Sequence, residues 1–380
     1  MTSNKVVITD ADINTGYGFG IDLCWNQLLL NKTSILKNTR FITKNFISDY
    51  AALVPNIYPN KNESCIMQML TPLFDKIIGN LPNDTLLILA TTTGEIELLE
   101  QSILEKNRNI EESGINSLLH KIQSALKLKE DALIISAACA SSSTAIAQAA
   151  SMIKNGVKDS ILIIGCDTVS EFVYSGFSAL QALGKEPAKP FDQNRDGLTL
   201  GDGAGYALLM SESKANKENR NFLGYVSGWG LSNDSNHITG PSRDGYCLVA
   251  AIEASLITAN ISSAEIGSIS AHGTGTLYND SMEIKAFKSM FKTPIPTYSL
   301  KGGTGHTLGA AGLIEALICL KSLEENIIPP SVGIKNIAED AKKWINTKSH
   351  DSSMQYSLST NSGFGGINAS LVLSKIGNPL

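Results

Sequence analysis

Short apolar runs alternate with segments of helical periodicity along the chain, a pattern typical of an α/β protein. Runs of strand length, continuous in apolar or β-branched residues, lie at residues 5–9, 86–90, 132–136 and 160–165. The periodic segments that predict helices lie at residues 95–105, 115–128 and 143–154. Because the strands are apolar throughout, helices should cover both faces of the sheet, so we expect it to be parallel or mixed.

Two segments of the chain share one plan, which indicates a repeated unit. Residues 131–150 run from an apolar strand through small residues around Cys139 into an Ala-rich helix. Residues 295–317 run from a strand through the turn KGGTGH into a second Ala-rich helix. Both helices are small or apolar nearly all round, which predicts that they are buried. A duplicated architecture is one interpretation; strand–turn–helix units in any α/β protein are the other.

The length of the chain favours two packed units, because 380 residues exceed the usual size of one hydrophobic core. Its most polar stretch is SESKANKENRN at residues 211–221, between two apolar-rich regions. We therefore predict an N-terminal unit at residues 1–215 and a C-terminal unit at residues 216–380. The same stretch could also be a surface connection inside one compact body.

Composition excludes several classes of protein. Hydrophobic residues make up 43% and charged residues 18%, which is typical of a globular enzyme and not of a disordered chain. The net charge of −5 gives no global electrostatic case for nucleic-acid binding. No apolar run approaches the roughly 18–20 residues of a bilayer span, and the N-terminus has no signal-peptide pattern. Six scattered cysteines without a CxxC pair predict reduced thiols and a cytoplasmic location.

Cys139 lies where the strand at 132–136 should turn into a buried helix. The positive end of that helix would favour thiolate over thiol, and the small neighbouring residues would let a substrate carbonyl approach closely. Buried cysteines are more often inert small apolar side chains, so both interpretations stay open on spacing alone.

Two of the five histidines lie in similar turns of small residues. His272 lies in SAHGTGTLYND, and His306 lies in KGGTGHTLGAAG with Lys301 five residues earlier. Each could be a structural, hydrogen-bonded histidine. Together with Cys139, however, two imidazoles would make a workable acyl-transfer site.

The glycine clusters do not support a nucleotide site. GTGHTLG at residues 303–309 has one residue too many before its last glycine for a dinucleotide-binding turn, and GDGAG at 201–205 is not followed by GK[ST]. We also find no GxSxG, no HExxH and no EF-hand loop, which disfavours serine hydrolases and these metal sites. No metal or cofactor is therefore predicted.

Several segments in a fixed order form a family set. They are AACASSSTAI around Cys139, PFDQNRDGLTLGDGAGYALL at 190–209, NDSNHITGPSRDG at 233–245, AHGTGTLYNDSMEIKA at 271–286, KGGTGHTLGAAGLIEAL at 301–317 and SGFGGINASLVL at 362–373. In these motifs the chain resembles the elongating beta-ketoacyl-[acyl carrier protein] synthases, the condensing acyltransferases of fatty-acid synthesis and of type II polyketide and polyene pathways.

The resemblance implies a thiolase-like fold, in which two similar α/β halves form a five-layer αβαβα body. It also implies a dimer, either a homodimer or a heterodimer with a chain-length-factor-like paralogue. The expected partner is acyl carrier protein, which brings its own phosphopantetheine, so that the enzyme needs no other cofactor.

The resemblance also implies roles for individual residues. Cys139 matches the nucleophile that accepts the acyl group, and His272 and His306 match the imidazoles that face the malonyl thioester. Lys301 matches the active-site lysine, and Glu283 matches a buried acidic support.

An oxyanion hole and a gate follow from the same resemblance. The backbone amides of Cys139 and Phe364 would stabilise the tetrahedral intermediate, and Phe364 with Gly365 would form the gate. The reaction implied is decarboxylative Claisen condensation with malonyl-carrier, giving a 3-ketoacyl-carrier and CO2.

The chain departs from the family pattern at three positions close to the expected acyl pocket. Gly302 replaces a serine after the lysine, Ser362 replaces an aromatic residue, and Ile367 replaces a threonine. These changes leave the expected reaction type unaltered. They favour a specialised pathway, polyene or polyketide, over housekeeping fatty-acid synthesis.

Two rival functions carry different signatures. A non-catalytic chain-length-factor-like subunit would lack the nucleophile, whereas this chain keeps Cys139. An acyl-CoA thiolase would use two cysteines and one histidine, whereas this chain has His272 and His306.

Carrier proteins are acidic, so we expect basic side chains at the pocket mouth; the alternative for each is ordinary solvated surface. The candidates form two clusters, Lys32, Lys37, Arg40 and Lys44, and Lys185 and Lys189.

Overall fold

The structure, a computed structural model, describes residues 4–60, 63–105 and 113–377. The strands are β1 (Val6–Thr15), β2 (Gly18–Phe19), β3 (Leu36–Lys37), β4 (Tyr50–Ala51), β5 (Leu86–Ala90), β6 (Ala132–Ile135), β7 (Ser160–Asp167), β8 (Gly203–Ser211), β9 (Gly224–Asn233), β10 (Ile266–Ser270), β11 (Thr297–Tyr298), β12 (Ile327–Ile328), β13 (His350–Asp351), β14 (Tyr356–Gly363) and β15 (Ile367–Ser374). The helices are α1 (Ile21–Leu29), α2 (Cys65–Ile77), α3 (Ile96–Glu105), α4 (Ile115–Leu126), α5 (Ser141–Lys154), α6 (Glu171–Ala179), α7 (Glu212–Lys217), α8 (Tyr246–Ala259), α9 (Leu277–Met290), α10 (Lys301–Thr304) and α11 (Ala311–Glu325).

The predicted elements of the first half all form, and β1 is the one that differs most in length. It continues to Thr15, well past the apolar run at 5–9, because its acidic residues find partners in the fold. Asp10 accepts a hydrogen bond from the Tyr206 hydroxyl at 2.8 Å. Asp12 is buried and accepts the backbone amide of Ile21 at 2.8 Å.

One mixed sheet carries the duplication. Its main path runs β11-β10-β14-β15-β9-β1-β8-β7-β5-β6. Numbered within each half, the order is third, second, fourth, fifth and first strand on both sides of the β9–β1 junction. In each half the second strand pairs parallel with the third and fourth, and the fifth pairs antiparallel with its neighbours. The repeated strand–turn–helix plan is therefore part of a repeated topology.

Two buried helices lie between the two halves of the sheet, and other helices cover its outer faces, which gives five layers. The buried helices α5 and α11 pack against each other and against strands of both halves. On the outer faces, α2 and α4 cover the N-terminal strands, whereas α8 and α9 cover the C-terminal strands. This is the predicted αβαβα arrangement.

The polar stretch at residues 211–221 includes α7 and connects β8 to β9. The halves also share backbone pairs across the junction, Val7 with Tyr225 and Ile8 with Gly224. The division into units at residues 1–215 and 216–380 stays a prediction. Among the helices of the described residues, none combines the length and apolar character needed to cross a bilayer.

Candidate active site

A tight turn before α5 presents Cys139. The turn is closed by Ser141, whose hydroxyl accepts the Ala137 amide at 2.8 Å and donates to the Ala138 carbonyl at 2.6 Å. Ala138 adopts the left-handed conformation with φ of 48°, which is uncommon for a residue with a side chain. Cys139 lies just before Ala140, the N-cap of α5, and is almost fully buried.

The protonation state of Cys139 corrects one expectation. Burial raises the pKa of the thiol to about 11, although the Lys301 charge and the Phe364 amide act in the opposite direction. The prediction that the helix end would favour a thiolate is therefore wrong for the unliganded site, because desolvation outweighs those effects. Cys139 rests as a thiol and needs a nearby proton acceptor before it can attack.

Side-chain contacts fix the orientation of the His272 ring. Lys301 lies with its Nζ 3.2 Å from His272 Nδ1 and also donates to the His272 carbonyl at 2.5 Å. Because a lysine donates, Nδ1 accepts, and the proton of the neutral ring lies on Nε2. Burial and the Lys301 charge hold the pKa of His272 well below its usual value, so that the ring is neutral at pH 7.

His306 reaches the same tautomer through the backbone. The Leu308 amide donates to His306 Nδ1 at 3.1 Å, which again leaves the proton on Nε2. Burial and Lys301 hold the pKa of His306 well below its usual value. Both rings therefore offer a neutral Nε2–H donor.

The structure brings Cys139, His272 and His306 together. One sulfur or nitrogen atom from each lies within 4.8 Å of the others, and the two ring centroids are 5.2 Å apart. All three residues line a cavity of about 960 Å³. Thiolate and imidazole are also zinc ligands, but here Lys301 and the Leu308 amide engage Nδ1 of the two rings, which leaves the Nε2–H groups as donors.

Lys301 and Glu283 lie behind the cavity wall and not in it. Lys301 forms a buried ion pair with Glu315, a residue that the sequence reasoning missed. Glu283 does not contact the lysine; it accepts the backbone amides of His272 and Gly273, each at 2.7 Å. Glu283 therefore stabilises the turn that carries His272.

The loop predicted to form the gate places Phe364 at the cavity and directs the Gly365 amide elsewhere. Phe364 lines the cavity and stacks on Phe177, with ring centroids 5.6 Å apart. The amide of Gly365 donates to the Ile238 carbonyl at 2.7 Å, so it cannot serve as an oxyanion donor. Gly365 belongs only to the gate loop, where its φ of 84° favours glycine.

The structure contradicts the prediction that Arg40 lies at the pocket mouth, where it could dock the carrier protein. Its guanidinium is buried and forms a bidentate pair with Asp202, at 2.8 and 2.7 Å. Arg40 is therefore structural. Among the described residues that line the cavity, Arg243 supplies a guanidinium, which lies over the Tyr278 ring.

Two sequence profiles match successive parts of the chain. The profile described as "Beta-ketoacyl synthase, N-terminal domain" matches residues 89–215, and "Beta-ketoacyl synthase, C-terminal domain" matches residues 223–335. The chain belongs to the beta-ketoacyl synthase family. The predicted family and enzyme class are confirmed.

Relatives of known name agree with this family. The chain is 29% identical to 3-oxoacyl-[acyl-carrier-protein] synthase 2 of Vibrio cholerae, over 99% of this chain and all of that one. It is 32% identical to the protein of the same name from Rhizobium meliloti, over 63% of this chain and 59% of that one.

Solved structures confirm the fold. "The ishigamide ketosynthase/chain length factor" matches with a TM-score of 0.89 and 26% identity, covering 99% of this chain and all of that one. The ketosynthase ApeO in complex with its chain length factor ApeC from Xenorhabdus doucetiae matches with a TM-score of 0.83 and 26% identity, covering 98% of each chain.

Proposed function

We propose that this beta-ketoacyl synthase elongates an acyl chain by decarboxylative Claisen condensation with malonyl-[acyl carrier protein]. The observation that carries the proposal is the convergence of a thiol and two neutral N–H imidazoles in one cavity. A lone buried cysteine would not support this chemistry, whereas the three groups together supply a nucleophile and two donors for an enolate oxygen.

The first half-reaction loads the enzyme. As the Cys139 sulfur attacks the acyl thioester, the bond from the acyl carbon to the carrier sulfur breaks, and the thiol proton of Cys139 passes to that departing sulfur. The amides of Cys139 and Phe364 stabilise the tetrahedral oxyanion; one such donor contributes about 3–4 kcal/mol to a transition state.

The second half-reaction extends the chain. His272 and His306 donate from Nε2 to the thioester oxygen of malonyl-carrier as the bond to the carboxylate breaks and CO2 leaves. The enolate carbon attacks the acyl-enzyme carbonyl, the bond from that carbon to the Cys139 sulfur breaks, and the sulfur takes up a proton from solvent. The product is a 3-ketoacyl-carrier two carbons longer.

Three finer points belong to the same proposal. Acyl carrier protein is the partner whose phosphopantetheine enters the cavity, and a second thiolase-fold chain pairs beside β6. In support, β6 is the last strand on the sheet path and exposes Leu133. The cytoplasmic location stays a prediction, which cell fractionation tests.

The acyl chain is polyketide- or polyene-like in this proposal. Its support is the substitutions near the gate and the likeness to the ishigamide ketosynthase/chain length factor. A panel of acyl-carriers graded in length and unsaturation tests it; preference for short saturated chains would contradict it.

The decisive experiment separates the two half-reactions. Cys139→Gln should lose acyl-enzyme formation, seen by intact-protein mass spectrometry, and condensation, yet keep decarboxylation of malonyl-carrier because the two histidines remain. Cys166→Ala is the matched control, since Cys166 is buried but does not line the cavity. Acyl labelling of Cys139→Gln would contradict the nucleophile, and loss of CO2 release in a folded variant would contradict the histidine roles.

A further inference from the structure

Asn361 is a buried residue of β14 that touches three parts of the site. Its Nδ2 donates to Glu315 Oε2 at 2.6 Å and lies 3.3 Å from His272 Nδ1. Its Oδ1 accepts a hydrogen bond from the hydroxyl of Ser143, on the helix that follows Cys139. Neither the sequence motifs nor the mechanism above uses this residue.

The chemistry of its partners fixes the orientation of the amide. Glu315 pairs with Lys301 through its other oxygen and, as a carboxylate, can only accept. The NH2 group must therefore face Glu315, and its second hydrogen points to His272 Nδ1. The carbonyl oxygen then faces Ser143, whose hydroxyl can donate. Every polar atom of Asn361 is satisfied in one orientation and not in the flipped one.

Two N–H donors, from Lys301 and Asn361, consequently face His272 Nδ1. The lysine also donates to Glu315 and to the His272 carbonyl, so its three hydrogens are shared among three acceptors. The amide adds a neutral donor whose position is set by β14. A proton on Nδ1 would meet both donors and no acceptor, which disfavours that tautomer.

We propose that Asn361 is a positioning residue that keeps the proton of His272 on Nε2, where it faces the substrate, while linking that ring to the helix behind Cys139. This inference rests on the proposed function for the role of His272 in decarboxylation. The tautomer itself is independent of that function, and so the two can be tested apart.

The test compares Asn361→Leu, which keeps the size but removes both polar ends, with Ser359→Ala. Ser359 is a matched control because it is buried on the same strand and its hydroxyl has no hydrogen-bond partner among the described residues. Decarboxylation of malonyl-carrier should fall about 10- to 100-fold in kcat for Asn361→Leu, with KM within about threefold. Ser359→Ala should match the parent protein.

The tautomer is read directly by long-range 1H–15N spectra of 15N-histidine-labelled protein. In Asn361→Leu, Glu315 loses its amide donor and competes with His272 Nδ1 for Lys301, so His272 should change from the Nε2–H form to a mixture of tautomers, while His306, held by the Leu308 amide, stays unchanged. The inference is overturned if His272 keeps its tautomer and kcat stays within threefold. It is also overturned if both rings change together, because that would be a general distortion.

A second variant covers the case in which Asn361→Leu does not fold. Asn361→Ser retains a small polar group that is too short to reach both partners, and the same two readouts apply to it. If the parent protein released no CO2 from malonyl-carrier, the proposed function would fail, while the spectra would still decide the role of Asn361.

Discussion

The two halves of the molecule use the same connection for different chemistry. In each half the third strand leads into the buried central helix, from β6 to α5 and from β11 to α11. In the N-terminal half residues 136–140 make a tight turn that holds one sulfur at the helix end. In the C-terminal half residues 299–310 include the short helix α10 and supply both Lys301 and His306. The topology is duplicated, but this connection differs between the halves in length and in sequence. That difference determines which half carries the thiol and which carries Lys301 and His306.

The two connections are also stabilised by different interactions. The tight turn depends on its own backbone and on Ser141, with local strain at Ala138. The long connection depends on a buried charge pair, Lys301 with Glu315, that reaches into α11. Substitutions should therefore change the free energy of unfolding by more in the long connection than in the tight turn.

The largest loss is expected when the buried charge pair is broken. Lys301→Ala should lower the free energy of unfolding by about 3–5 kcal/mol, because Glu315 is left as an uncompensated buried charge. Chemical denaturation measures the change. The double variant Lys301→Met/Glu315→Gln should recover most of the stability; an equally unstable double variant would contradict this cause.

The thiol of the tight turn should show a strong pH dependence. With the pKa of Cys139 raised to about 11, the thiolate fraction and hence the alkylation rate should rise about tenfold per pH unit between pH 7 and pH 10. Iodoacetamide labelling followed by peptide mass spectrometry measures it, with Cys139→Ala as the blank. A rate already independent of pH above 7 would show that the helix end dominates after all.

Close backbone packing at Gly302 should make the long connection intolerant of a side chain. A Cβ there would lie 1.9 Å from the Val332 carbonyl oxygen, so Gly302→Ala should destabilise by about 1–3 kcal/mol. Gly176→Ala is the control, because it lies in α6 with open space around it and should be neutral or slightly stabilising. Equal thermal unfolding of the two variants would contradict the packing argument.

The smallest effect is expected in the tight turn. Ala138→Gly should raise the free energy of unfolding by about 0.5–1 kcal/mol, since it removes left-handed strain at a smaller cost in chain entropy. Ala140→Gly, where φ is −97°, has no such strain to lose and should destabilise instead. An equal loss of stability in both variants would show that the backbone at Ala138 is not strained.

The sequence predicted the central strands, both buried helices and the convergence of Cys139, His272 and His306, because motifs and periodicity are local signals. It missed Glu315 and Asn361, which join the site only through long-range contacts. A single acid inside the apolar helix AGLIEALICL was the available signal for Glu315. Nothing comparable marked Asn361.

Two errors have one physical cause, since burial cannot be read from residue type. Arg40 was predicted at the surface but is buried against Asp202. The helix end was predicted to favour the thiolate of Cys139, but burial raises the pKa of the thiol.

The backbone pairs between β1 and β9 have a mechanical consequence. They join the half that carries Cys139 to the half that carries the two histidines, so separating the halves would break these backbone hydrogen bonds. We therefore expect substrates to enter by local rearrangement around Phe364, which lines the cavity, rather than by separation of the two halves.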